Sequence, residues 1–72
     1  MKLTLELDRE VDGRWIGSVP ELPGVHVYAD TREGALSRVL ALAYTVLADE
    51  VEHGDRDPHT LLNLVIDTRE AA

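Results

Sequence analysis

Residues 14–36 read RWIGSVPELPGVHVYADTREGAL, and within them the apolar period changes from two to a mixture of three and four. Trp15, Gly17 and Val19 share one face of an extended segment, and Ile16 and Ser18 share the other. That alternation marks a strand with one buried side. Pro20 ends it, because proline cannot donate to a ladder. Pro23-Gly24 suits the centre of a type II turn, with φ fixed at the first residue and positive at the second. A second strand follows, opposing Val25, Val27 and Ala29 to His26 and Tyr28. Asp30-Thr31 then opens a helix, with Thr31 as N-cap and Glu33 in the first turn, where the helix dipole favours an acid.

Upstream, Leu3, Leu5 and Leu7 alternate with Thr4, Glu6 and Asp8, which predicts another half-buried strand. Asp12-Gly13 between two such runs predicts a type I′ hairpin turn, both central residues having positive φ. Downstream, Ala35, Leu36, Val39, Leu40, Ala43, Leu47 and Val51 form one apolar stripe, and Gly54 is a C′ stop. After the loop at 55–58, Leu62, Leu64 and Ile66 predict a last strand, with Thr68 to Ala72 as a frayed tail. The expected elements are strands at about 2–10, 14–19, 25–29 and 60–67 and a helix at about 32–53, in one domain spanning 1–72. The order β-β-β-α-β places the chain in the α/β (α+β) class. A right-handed crossover returns the last strand parallel to the first. The expected architecture is a four-stranded mixed sheet, order 3-2-1-4, with one helix on one face and Trp15 as the largest core residue beneath it.

Seventy-two residues bury only ~60% of the unfolded surface, so a partner subunit would add useful stability. Hydrophobic residues at 44% and charged residues at 29% exclude a disordered chain. There is no cysteine, which excludes disulfides and thiolate-held metals. The alternating, early-acidic start is not a secretory signal, and the apolar run from Val39 to Ala48 is too short to span a bilayer. A cytoplasmic location is the expectation. The net charge of −7 repels phosphate backbones and anionic lipid, so a basic protein is a better partner than nucleic acid or a membrane.

The residues from Asp12 to about Leu47 resemble the HicB family of type II antitoxins. The resemblance rests on Asp12-Gly13-x-Trp15, on Val19-Pro20-Glu21-Leu22-Pro23-Gly24, and on Asp30-Thr31-x-Glu33-x-Ala35-Leu36. It implies a truncated RNase H-like fold and a protein that binds and blocks a small basic RNase toxin of the HicA type. It also implies homo-oligomers, dimers or tetramers. Many family members carry a C-terminal helix-turn-helix or ribbon-helix-helix that binds operator DNA. Here only a short tail follows the last strand, so direct nucleic-acid binding is not expected. Gly34 stands where the family often has an acid, and weakens the first helical turn by ~1 kcal/mol relative to alanine.

The candidate partner-binding residues are Glu21 and Leu22, in a rigid loop that docks at low entropy cost, and Ile16, His26 and Tyr28, on the sheet face away from the helix. The prolines and Gly24 are explained by structure alone, as a stiff connection fixing strand register, which is the favoured reading of the loop. An orphan domain that only self-assembles is the alternative function. A metal-dependent nuclease is a remoter one, resting on Asp8, Glu33 and Asp67, which echo the carboxylate positions of RNase H enzymes. His53, Asp55, Asp57 and His59 alternate potential ligands, yet match no structural-site spacing and read as a polar helix terminus. No catalytic residue, metal or cofactor is expected.

Overall fold

The computed structural model describes residues 1–70. Its elements are β1 (Lys2–Arg9), β2 (Trp15–Ser18), β3 (His26–Ala29), α1 (Arg32–Glu52), a 3-10 turn (Pro58–Leu61) and β4 (Val65–Glu70). The sheet order is β3-β2-β1-β4, with β1 antiparallel to β2, β2 antiparallel to β3, and β4 parallel to β1. The expected α+β fold, with one helix on a four-stranded mixed sheet, is the observed one.

The leucines of β1 build the centre of the core. Leu3, Leu5 and Leu7 are all fully buried, each worth about 1.5–3 kcal/mol when taken from water. Val19, Leu22, Val25 and Ala29 continue the layer, and Ala35, Val39, Ala43 and Leu47 cover it from α1. The helix lies tightly against the sheet at Gly17, where a Cβ would stand 2.8 Å from Val39 Cβ and 3.1 Å from the Ala35 carbonyl oxygen. Trp15, two residues along β2, packs at the margin of the core. It is half-buried, with the Arg9 guanidinium 5.9 Å from its ring. The core is led by leucines, not by the tryptophan.

Both helix ends follow their sequence signals. The Thr31 hydroxyl accepts from Gly34 N–H at 3.0 Å. At the other end Gly54, at φ 75°, lets its own N–H reach Val51 O and the Asp55 N–H reach Glu50 O. Those paired bonds are a Schellman motif.

Two turns depart from expectation. Only Gly13 has positive φ in the first hairpin, so the turn is not type I′. Glu10 N–H donates to Arg14 O and Gly13 N–H to Glu10 O, a three-residue loop with glycine in the left-handed position. Asp12 secures it by accepting from the Arg14 backbone N–H at 3.0 Å. The second departure is β4, which begins at Val65 and runs through Glu70, not 60–67. Asp57 caps the 3-10 turn by accepting from His59 N–H, with Pro58 at the first helical position, a start signal that overrides the apolar run at 61–64. Leu62 consequently faces solvent, and Thr68 to Glu70 belong to the sheet rather than a tail.

Candidate functional site

The helix packs on β3, β2 and β1, so the opposite side of the sheet is uncovered among the described residues. Strand parity decides what it carries: Thr4, Glu6 and Asp8 from β1, Ile16 and Ser18 from β2, His26 and Tyr28 from β3, and Val65, Asp67 and Arg69 from β4. Ile16 stands directly opposite Tyr28, and Ser18 opposite His26 and Glu6. A shallow hollow of about 500 Å³ lies between Glu6, Asp8, Ile16, Ser18, His26 and Arg69.

The aromatic side of this face is tied together by ring contacts. His26 and Tyr28 meet edge to face at 5.2 Å, and the Arg14 guanidinium lies 4.9 Å over the Tyr28 ring. Contacts of both kinds are favoured by the ring quadrupole. Tyr28 still keeps 42% of its surface exposed. The other side is ionic: Lys2 pairs with Asp67 at 3.3 Å, and Arg69 pairs with Glu6. The face therefore combines an apolar, aromatic patch with a charged strip.

Ile16, His26 and Tyr28 are thus brought together on one surface. The loop pair is not. Leu22 is 3% exposed and belongs to the core, because successive turns fold it back: Leu22 N–H donates to Val19 O, and Val25 N–H to Leu22 O. It cannot contact a partner. Replacing Leu22 with alanine is expected to lower stability by ~2 kcal/mol, at the low end for buried leucine because the loop can close over the gap. Urea denaturation checks this.

Glu21 is exposed, but its carboxylate is engaged within the molecule. It accepts from Thr4 N–H at 2.9 Å and from the Thr4 hydroxyl at 3.1 Å. The cause is Pro20. The β1–β2 register pairs Glu6 with Ser18, so its continuation would set Thr4 against Pro20, where the ladder stops. Glu21 supplies the acceptor instead, and the Thr4 N–H holds its carboxyl below the usual glutamate range. A depressed native pKa gives stability that is present above the ordinary glutamate pKa and lost as pH falls through the native value. The Glu21→Gln variant is accordingly expected to show a shallower loss of stability than the parent on acidification below that ordinary value. A thermal-midpoint series against pH measures it.

The three carboxylates weighed for metal do not converge. Asp67 pairs with Thr4 in the first half of β4, four residues along β1 from Asp8, a separation of roughly 13 Å. Asp67 is therefore not at the C-terminal end of its strand, as the sequence had suggested. His53 turns to Asp49 and His59 to Asp57. No group of three potential ligands is assembled among the described residues, and no helix among them is long and apolar enough to cross a membrane.

Glu6, Asp8 and Arg69 complete the site. The two acids were readable from the parity of β1, whereas Arg69 was assigned to a tail. Comparison with protein-family models, curated proteins and solved structures gave no match.

Proposed function

We propose that this chain is a HicB-like, antitoxin-type binding module acting in the cytoplasm, which takes a small basic RNase of the HicA type onto its open sheet face and thereby neutralises it. It acts by occlusion and carries out no chemistry of its own. The observation that carries this reading is the uncovered face itself, where Tyr28, in contact with Arg14 and His26, stands against Ile16 and Ile16 stands against Asp8. An aromatic anchor already held by ring contacts has less side-chain entropy to lose on docking, and the Asp8 carboxylate beyond Ile16 suits a cationic protein surface. The net charge of −7 speeds encounter with such a partner, while the buried contacts set the lifetime.

The test is co-expression with the product of a small basic neighbouring reading frame, followed by pull-down and a growth assay. Binding together with relief of growth arrest supports the proposal; a neighbour that neither binds nor is neutralised defeats it. Within a working pair, Tyr28→Ala is expected to weaken binding ~10-fold or more. The thermal midpoint of the isolated chain should fall by only about 4–8 °C, because the ring lies outside the core and the change removes only its Arg14, His26 and Ile16 contacts.

A further inference from the structure

We infer that two copies of this chain join through β4, edge to edge and antiparallel, about a two-fold axis at Thr68. The result is a single sheet of eight strands, four from each copy. This does not rest on the proposed function.

The two edges of the sheet are treated differently. On β3 only His26 and Tyr28 turn their backbone groups outward, and the Tyr28 carbonyl accepts from Arg38 Nη1 at 2.6 Å. On β4 the Val65 N–H donates to Met1 O at 2.9 Å. By strand alternation Val65, Asp67 and Arg69 thus direct their backbone groups to β1, and Ile66, Thr68 and Glu70 direct theirs outward. Among the described residues those outward groups have no partner. The edge holds an uninterrupted register over its length and contains neither proline nor glycine. Natural edges are usually blunted by such breaks, and the helix, seated on the other three strands, does not cover this one.

Symmetry leaves few registers. A two-fold relating antiparallel strands runs normal to the sheet, so the axis passes midway between the two copies of one residue and opposed residues lie on the same face. With the axis at Thr68, each outward residue meets another: Thr68 its own copy, and Ile66 the Glu70 of the second copy. Each such pair exchanges two backbone hydrogen bonds.

The side chains select the same register. On the open face it sets Asp67 against Arg69 of the second copy. Because Asp67 already holds Lys2 and Arg69 already holds Glu6, a row forms across the seam that alternates in sign: Lys2, Asp67, then Arg69 and Glu6 of the second copy. Symmetry repeats it. Moving the axis to Asp67 or Arg69 would oppose like charges, which is destabilising. Charges that would normally guard an edge are here complementary to themselves.

Sedimentation or light scattering across micromolar to millimolar chain concentration tests this. The wild type is expected to approach twice the 8.0 kDa chain mass. Asp67→Arg alone and Arg69→Asp alone each place like charges across the seam and should weaken association ~10-fold or more. An equimolar mixture of the two variants opposes unlike charges at both positions and should restore the dimer, an effect that misfolding cannot mimic. Thr68→Pro removes both bonds at the axis, one from each copy, at a residue whose N–H has no partner within the monomer among the described residues. It should abolish association while leaving the circular dichroism of the fold. A wild type that stays at the chain mass throughout, a dimer indifferent to all three substitutions, or variants that fail to rescue each other would overturn the inference.

Discussion

Replacing Gly17 with valine is expected to destabilise the fold by about 3 kcal/mol or more. The first added carbon would already lie 2.8 Å from Val39 Cβ, 3.1 Å from the Ala35 carbonyl oxygen and 3.1 Å from Val27 Cγ2. The Ala35 oxygen is helix backbone and cannot rotate aside, so α1 must lift from the sheet. Overpacking of this kind costs typically ~1–3 kcal/mol, which is the range expected for Gly17→Ala, and valine adds two further methyl groups at the same point. A domain of this length holds roughly 4–10 kcal/mol in all, so the change removes a substantial share. Denaturant titration at one fixed chain concentration measures it, as a fall in midpoint with unchanged slope. A Gly17→Ala protein within about 0.5 kcal/mol of the parent would mean that the helix does not seat there.

Leu5→Ala is the second large effect, expected at ~3–5 kcal/mol, the upper part of the range for buried leucine. Leu5 is 1% exposed and sits on β1, which is paired with β2 on one side and β4 on the other. A strand held along both edges cannot shift to fill the void, and the cost of such a deletion grows with the cavity that persists. Leu62→Ala is the matched control: the same atoms are removed from a side chain that is 73% exposed, and the expected change is within about 0.5 kcal/mol. Similar losses at both positions would contradict the burial of the β1 leucines.

The parts of the fold legible in the sequence were those written by local physics. Leu3, Leu5 and Leu7 gave the central strand by parity, the stripe from Ala35 to Leu47 gave the helix, and Thr31 and Gly54 gave its ends. Pro23-Gly24 gave its turn, with Gly24 at φ 87°. What escaped depended on contacts across the chain or on competing local signals. Leu22 looked like a loop tip, but two consecutive turns return it to the core. Nothing near Glu21 announces Thr4, seventeen positions away. The apolar run at 61–64 imitates a strand, and only the weaker Asp57-Pro58 signal marks the 3-10 turn that moves β4 toward the C-terminus. Of the candidate site, Ile16, His26 and Tyr28 were found because parity assigns a face. Arg69 was lost with the misplaced end of β4.

The guanidinium that Arg38 lays on the Tyr28 carbonyl bears on what this protein can become at high concentration. A sheet receptive along both rims is a template for itself, and repeated addition leads to fibrils. Here one rim is only four residues long and its outward carbonyl at Tyr28 is occupied. The β4 pairing inferred above uses one rim of each copy and closes on itself, so further addition would have to start from the shorter, partly occupied rim.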